Sequence, residues 1–184
     1  IYADSVSEID WSTGQILEAL DRADLARNTI VAFVSDNGPW LDLPARMLQA
    51  GNEPWHAGTA GLLRGSKGTT WEGGIRVPAV IRWPGTIPVA SVSPGLTTAM
   101  DLFATLTAAA GASAALANPL DGRDLRAHFE GRAPAPTGEF LYVNGTQIEG
   151  VRQGPWKLRV MKDSPPQLFH LELDPSERYD RAKD

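Results

Sequence analysis

The chain has 184 residues, of which 42% are hydrophobic and 21% are charged, so it is long and apolar enough to bury a core. Its formal net charge of −5 and its lack of any run of Lys and Arg argue against nucleic acid as a partner, because phosphate binding needs clustered positive charge. Because it contains no cysteine, these residues provide neither a disulfide nor a thiolate nucleophile or metal ligand.

The first predicted element is an amphipathic helix of about five turns. Ser5 to Glu8 has the spacing of a capping box, and apolar residues then recur on one helical face: Val6, Ile9, Ile16, Leu17 and Leu20. Asn28-Thr29 ends the pattern, and residues 30–34 form a continuous apolar run of strand length. We predict that this run is a central strand of an α/β sheet, buried on both faces.

A long loop follows the predicted strand. Residues 38–74 are rich in Gly, Trp and polar side chains with little periodicity, and loops of this length in compact domains are usually functional. After it we predict a second short strand, Val77 to Trp83, and a helix from Thr98 to Ala110 that Gly111 ends. The stretch from 102 to 117 is too short and too weakly apolar to span a bilayer, so no membrane span is expected.

The last part of the chain has the pattern of a small antiparallel sheet. Residues 133–138 have linker composition, and strand-like runs follow at 139–143, 154–160 and 167–173. Asn144-Gly145-Thr146 is a formal glycosylation acceptor, but Asn-Gly between two strand-like runs favours a hairpin turn.

The first candidate site is the tetrapeptide Ser35-Asp36-Asn37-Gly38, directly after the predicted buried strand. Ligands in open α/β sheets bind beyond the carboxyl ends of strands. The Asp36 carboxylate and the Asn37 amide oxygen suit a hard cation such as Ca²⁺. The same residue types also form tight turns that bind no ligand, so both interpretations are open from these residues alone.

The second candidate site is the loop from 61 to 74, which holds five glycines around Lys67. Such a loop can bring backbone amides and an ammonium group close to an oxyanion. It does not match a nucleotide-binding P-loop, in which Ser or Thr follows the lysine, because Gly68 stands there. The alternative is a flexible loop that carries a solvated lysine.

His56 and three tryptophans complete the candidates in the long loop. His56 could donate a hydrogen bond to a substrate or shuttle protons near neutral pH, although a lone loop histidine is more often incidental. Trp40, Trp55 and Trp71 either line an aromatic wall or form the small core that holds the loop together.

Several segments, in this order, resemble the second half of the type I sulfatases, the arylsulfatase-like branch of the alkaline-phosphatase superfamily. They are NTIVAFVSDNG at 28–38, KGTTWEGGIRVP at 67–78, DLFATL at 101–106, WKL at 156–158, LFHL at 168–171 and DPSE at 174–177. The lysine-containing segment is the most specific of them. The chain departs from the family pattern at Ala104, His170 and Tyr179, where proline, aspartate and asparagine are usual.

The resemblance implies a fold and a division of the chain. We expect the C-terminal part of an alkaline-phosphatase-like α/β sandwich, followed by a small antiparallel β subdomain with a closing helix. Residues 1–135 would belong to the catalytic α/β domain and residues 136–184 to the subdomain.

The resemblance also implies a sulfuric ester hydrolase that uses Ca²⁺. Asp36 and Asn37 would be metal ligands, and Lys67 a catalytic residue that contacts the sulfate. His56 has no firm counterpart in the family and is a candidate substrate-binding residue on its own chemistry. The family's nucleophile is a formylglycine made from a Cys/Ser-x-Pro-x-Arg motif, which does not occur in these residues. We therefore expect an upstream segment to supply it, and this chain alone to be inactive.

Two rival functions are open. One is a phosphomonoester or phosphonate hydrolase of the same superfamily, and the other is a non-catalytic module that binds a sulfated ligand. The expected partner is a sulfate-ester small molecule or a sulfated glycan. The sequence identifies neither the oligomeric state nor the location, although the family resemblance favours export to the periplasm, the outside of the cell or the lysosome.

Overall fold

The computed structural model describes residues 2–48, 51–112, 118–136 and 138–184. Its helices are α1 (Tyr2–Arg22), α2 (Glu72–Ile75), α3 (Ala99–Ala109) and α4 (Arg126–Phe129). Its strands are β1 (Val31–Val34), β2 (Ala79–Arg82), β3 (Glu139–Asn144), β4 (Gln147–Gln153), β5 (Trp156–Arg159) and β6 (Gln167–His170). Within these ranges, no helix combines the length and the apolar character needed to cross a membrane.

Helix α1 confirms the predicted first helix but not its start. The helix begins at Tyr2, so the expected capping box at Ser5 to Glu8 lies inside its first turns and is wrong. The predicted apolar face is about half exposed: Val6, Ile9 and Ile16 are 48%, 51% and 58% exposed.

Strand β1 is present where it was predicted, but its burial on both faces is wrong. It pairs antiparallel with β2, with Val31 opposite Arg82 and Val34 opposite Ala79. Phe33 and Val34 are 43% and 44% exposed. The physical reason is that β2 is the single strand paired with β1 in the described structure, so its apolar side chains have little to pack against.

Helix α3 matches its predicted limits. Thr98 and Asp101 form a reciprocal capping box, in which Asp101 N donates to Thr98 Oγ1 and Thr98 N donates to Asp101 Oδ2. At the other end Gly111 adopts a φ of 71°, a conformation that favours glycine.

Strands β3 to β6 form a four-stranded antiparallel sheet in sequence order. Asn144 pairs with Gln147 across the β3–β4 connection, and Gly145 has a φ of 59°, which confirms the predicted hairpin turn. All of β4 lies outside the predicted strand-like runs, so the sequence missed it. The buried face carries Tyr142, Phe169 and the side chain of a lysine, Lys157.

The predicted closing helix is wrong. Residues 171–184 form turns, and Glu177 adopts a φ of 51°, which an α-helix cannot contain. The Asp174 carboxylate accepts hydrogen bonds from the backbone N–H groups of Arg178 and Tyr179 at 2.7 and 2.8 Å. This side-chain acceptor satisfies the backbone locally and favours the turn over a helix.

Candidate functional site

The two candidate segments lie side by side. Gly38 N donates a hydrogen bond to Gly74 O at 3.0 Å, and Lys67 N donates to Pro39 O at 2.9 Å. The turn after β1 and the lysine-containing loop are therefore joined by two backbone hydrogen bonds.

Glycine makes this close approach possible. A Cβ atom on Gly38 would lie 1.7 Å from Gly73 O, and one on Gly74 would lie 2.4 Å from the backbone oxygens of Ser66 and Thr69. Real Cβ atoms do not approach an oxygen so closely, so the glycines are required for the two segments to pack together.

Asp36 and Asn37 lie in a bend stabilised by local hydrogen bonds. Ser35 Oγ donates to Asn37 O, and Asn37 Nδ2 donates to Gly38 O, both at 3.0 Å. The Asn37 amide oxygen is then the atom that a cation could contact, next to the exposed Asp36 carboxylate. Ca²⁺ takes about six to eight oxygen ligands, so these two residues fit the ion as part of a site. Among the described residues, no cluster of three or more His, Asp and Glu side chains could hold a metal.

Lys67 has a fixed backbone and an exposed side chain. Beyond the bond to Pro39, Thr69 Oγ1 donates to Ser66 O at 2.7 Å, and Ser66 Oγ donates to Asp42 Oδ2 at 3.2 Å. The Lys67 ammonium lies 5.4 Å from the centre of the Trp40 ring. The loop is thus held by hydrogen bonds while its lysine side chain is presented to solvent.

A cavity of about 300 Å³ lies next to Trp40. Tyr2, Trp40, Leu43 and His56 are among the residues that line it. His56 Nδ1 accepts a hydrogen bond from Glu53 N at 3.0 Å, so the neutral ring carries its proton on Nε2. Trp40 thus lines a cavity that could accommodate part of a small molecule, and its ring centre lies 5.4 Å from the Lys67 ammonium.

The three tryptophans have different surroundings. Trp71 lies between two guanidinium groups, with Arg64 Cζ at 3.7 Å and Arg159 Cζ at 3.3 Å from its ring centre. It forms part of the packing between the loop and the C-terminal sheet. Trp55 is 75% exposed, whereas Trp40 lines the cavity. Neither sequence interpretation holds for all three residues.

Comparison with known proteins identifies the family. A model of the family described as Sulfatase matches residues 1–112, more than half of the chain. The chain belongs to the sulfatase family. Human steryl-sulfatase is 39% identical over an alignment that covers 97% of this chain and 35% of that protein. The chain thus spans about a third of the length of this curated relative.

Solved structures confirm the fold of this sulfatase chain. The PsFucS1 sulfatase from Pseudoalteromonas sp. superposes with a TM-score of 0.80 at 26% identity, covering 97% of this chain and 38% of that one. The phosphonate monoester hydrolase of Agrobacterium radiobacter gives 0.63 at 25% identity, covering 97% and 36%. The predicted C-terminal part of an alkaline-phosphatase-like α/β fold is confirmed.

The sequence missed a buried cluster of charged residues beneath the lysine loop of the sulfatase chain. Glu72, Lys157 and Glu177, hereafter the Glu72–Lys157–Glu177 cluster, are 2%, 0% and 0% exposed. Burial, reinforced by the charge of Glu72, raises the pKa of the adjacent Tyr142 phenol. Burial also raises the pKa of the Glu177 carboxyl, although Lys157 acts in the opposite direction. The available signal was that all three charged residues occur inside the family-like segments KGTTWEGGIRVP, WKL and DPSE.

Proposed function

We propose that the complete protein hydrolyses sulfate esters. In this proposal Asp36 and Asn37 are two of the oxygen ligands of Ca²⁺, and Lys67 is the cation that contacts the sulfate. The observation that supports it most is the pair of backbone hydrogen bonds that join the Asp36–Asn37 turn to the Lys67 loop. These bonds hold the segment that carries the two proposed oxygen ligands beside the segment that carries the Lys67 ammonium.

Each residue has a chemical role in this proposal. Asp36 and Asn37 hold the cation, and bound Ca²⁺ supplies positive charge that stabilises a negatively charged oxygen. The Lys67 ammonium offsets negative charge on the sulfuryl oxygens as the bond to the leaving group breaks. The formylglycine expected for the family requires a Cys/Ser-x-Pro-x-Arg motif, and residues 1–184 contain none, so another segment of the protein would carry it.

The substrate would be a sulfated small molecule or a sulfated glycan. The cavity beside Trp40 could accept part of the leaving group, with His56 as a hydrogen-bond donor through Nε2. We further propose that residues 1–135 belong to the catalytic domain, that residues 136–184 form a subdomain and that the protein is exported.

Hydrolysis of a phosphomonoester or a phosphonate monoester is the second candidate. It is favoured by the similarity to the phosphonate monoester hydrolase structure, which also covers almost the whole chain. A binding module without turnover is the third candidate, because anion contacts by Lys67 do not themselves require catalysis.

The test is to assay the complete protein with 4-nitrophenyl sulfate, 4-nitrophenyl phosphate and a phosphonate monoester under matched conditions. We expect the sulfate ester to have the highest kcat/KM, and chelation followed by Ca²⁺ addition to remove and restore the rate. Faster turnover of the phosphate or the phosphonate would favour the second candidate. Binding of the sulfate ester without any turnover would favour the binding module.

A further inference from the structure

Two charged residues in the C-terminal tail have no part in the chemistry proposed above. Lys157 lies in the WKL segment on β5, and Glu177 lies in the DPSE segment that follows β6. Both side chains are fully buried. Lysine and glutamate are almost never fully buried unless they are paired, so their contacts indicate what they do.

The interior of the Glu72–Lys157–Glu177 cluster is held by short polar contacts. Lys157 Nζ lies 3.0 Å from Glu72 Oε1 and 2.8 Å from Glu177 Oε1. Tyr142 Oη donates to Glu72 Oε1 at 2.6 Å, and the Lys157 ammonium lies 3.9 Å from the centre of the Tyr142 ring. One ammonium group thus stands between two carboxylates, which would repel each other without it.

Lys157 and Glu177 are also hydrogen-bonded to the loop on both sides of Lys67, to the backbone of Thr70 and to the side chain of Arg64. Lys157 Nζ donates to Thr70 O at 2.8 Å, and Glu177 O accepts a hydrogen bond from Arg64 Nη1 at 2.8 Å. Arg64 and Thr70 each lie three residues from Lys67 in the chain. The two tail residues therefore fix the loop before and after the lysine.

Further hydrogen bonds between the tail and the loop also hold the loop in place. Glu177 Oε2 accepts a hydrogen bond from Glu72 N at 2.8 Å, and Ser176 Oγ donates to Leu62 O at 2.6 Å. A buried ion pair is weak evidence for stability, because desolvation of the charges offsets their attraction. Its directional contacts do, however, define one position of the backbone to which they are bonded.

We propose that Lys157 and Glu177 are positioning residues, which hold the loop so that the Lys67 ammonium meets the sulfate. This inference rests on the proposed sulfatase function. In this inference the buried charges of Lys157 and Glu177 affect the same reaction by positioning Lys67, and they do not contact the substrate themselves. Because these bonds connect residue 64 to residue 177 and residue 70 to residue 157, they cross the expected boundary at residue 135.

A double-mutant cycle in the complete protein tests this inference. Lys157→Met is made in the wild type and in Lys67→Ala, and kcat/KM is measured with 4-nitrophenyl sulfate. Because misplacement of a catalytic group by about 1 Å can cost about a hundredfold, we expect a loss of that order in the wild type. In the Lys67→Ala background the further loss should stay within about twofold, since the group being positioned is absent. Equal losses in both backgrounds would overturn the inference and leave the cluster a structural role.

Lys162→Met is the matched control, because Lys162 is an exposed lysine in the turn between β5 and β6. It should leave kcat/KM unchanged. If Lys157→Met does not fold, Tyr142→Phe takes its place in the cycle, since it removes the phenol donor to Glu72 and retains the ring. The expected loss is smaller but must likewise depend on Lys67, and an equal loss in both backgrounds overturns the inference.

Hydrogen exchange separates failure of this inference from failure of the proposed function. In Lys157→Met, or in Tyr142→Phe if that variant is used, the amides of residues 64–72 should exchange faster, while those of α3 should not change. If the wild type turns over no sulfate ester, the proposed function is refuted, and so is the catalytic purpose of the positioning. Comparison of hydrogen exchange between the wild type and the variant would still show whether the cluster holds the loop. Exchange of 64–72 that equals the wild-type rate would overturn the positioning itself.

Discussion

At the scale of single residues, Lys67 is the side chain on which the proposed chemistry depends most. Its backbone is fixed by the bond to Pro39, and its ammonium is exposed above Trp40. An exposed lysine contributes little to folding, whereas a lysine that contacts a developing oxyanion contributes to the rate. The effects of substituting Lys67 on stability and on rate therefore distinguish a loop that contacts an oxyanion from a flexible loop with a solvated lysine.

We predict that Lys67→Ala in the complete protein changes the free energy of unfolding by no more than about 0.5 kcal/mol. The same substitution should lower kcat/KM by on the order of a hundredfold, or roughly 3 kcal/mol of transition-state stabilisation. Lys67→Arg should recover only part of the rate, because a planar guanidinium does not replace a compact ammonium. Thermal melting and kcat/KM for one aryl sulfate provide the measurements. Near-normal kcat/KM for Lys67→Ala would show that the lysine does not touch the sulfate.

For Asp36 we predict a loss of metal together with a loss of activity. Asp36→Ala in the complete protein should lower its calcium content and its rate, with partial recovery at high calcium, because one carboxylate ligand is removed. Asp10→Ala is the matched control, since Asp10 is an exposed aspartate on α1. Full calcium content and full activity in Asp36→Ala would mean that Asp36-Asn37-Gly38 is an ordinary turn.

At the scale of elements, local signals in the sequence predicted those elements whose ends are determined locally. Helix α3 is bounded by the Thr98 capping box and Gly111, and the β3–β4 turn is determined by Asn144-Gly145. Strand β4 was missed because its sequence includes Glu149 and Arg152, which disrupt an apolar pattern. The presence of these two charged side chains in β4 is explained by their contacts with residues far away in the sequence.

Those contacts link β4 to the loop that contains Lys67. Glu149 accepts a hydrogen bond from Thr70 Oγ1 at 2.6 Å, and Arg152 Nη1 lies 3.8 Å from Glu72 Oε2. The local sequence pattern does not reveal that a charged residue has a partner far away in the chain. The same reason explains why the Glu72–Lys157–Glu177 cluster could not be predicted from spacing.

The contact between the β1 turn and the lysine loop leads to a prediction about Gly38. Gly38→Ala should separate the two segments, because the new Cβ would otherwise lie 1.7 Å from Gly73 O. We expect a loss of stability of about 1–3 kcal/mol, as for other overpacked sites, and a fall in kcat/KM of the complete protein.

Gly14→Ala is the control for Gly38→Ala. Gly14 lies in α1, and apart from its chain neighbours and the helix's own backbone no heavy atom would come within 4 Å of its Cβ. Alanine there should stabilise the protein by about 0.5–1 kcal/mol, because glycine is unfavourable inside a helix. Urea unfolding and kcat/KM of both variants are the measurements. Wild-type behaviour of Gly38→Ala would mean that the two segments need not touch for function.

At the scale of the whole molecule, the exposed apolar surfaces fit a chain that spans about a third of a relative's length. Phe33 and Val34 on β1 are exposed, although their continuous apolar run is typical of a strand buried on both faces. We propose that this run packs on both faces in the complete protein. We expect the rest of the sulfatase fold to cover these side chains.

The sequence predicted the residues of the proposed site but not their arrangement in space. Asp36, Asn37 and Lys67 were predicted from their residue types and from the family resemblance. That their segments are joined by backbone hydrogen bonds could not be predicted, because this depends on the glycines that allow Gly38 to approach Gly74.

The last prediction concerns residues 1–184 produced alone. We expect no measurable hydrolysis of 4-nitrophenyl sulfate, because these residues contain no Cys/Ser-x-Pro-x-Arg motif from which the family's nucleophile could be made. Their two proposed calcium ligands also fall short of the about six to eight oxygens that the ion takes. The measurement compares the purified chain with the complete protein at equal concentration, and the Lys67→Ala chain serves as the control for contaminating activity. Robust turnover by the 184-residue chain that Lys67→Ala abolishes would place the nucleophile within these residues, because a contaminating enzyme would be unaffected by that substitution.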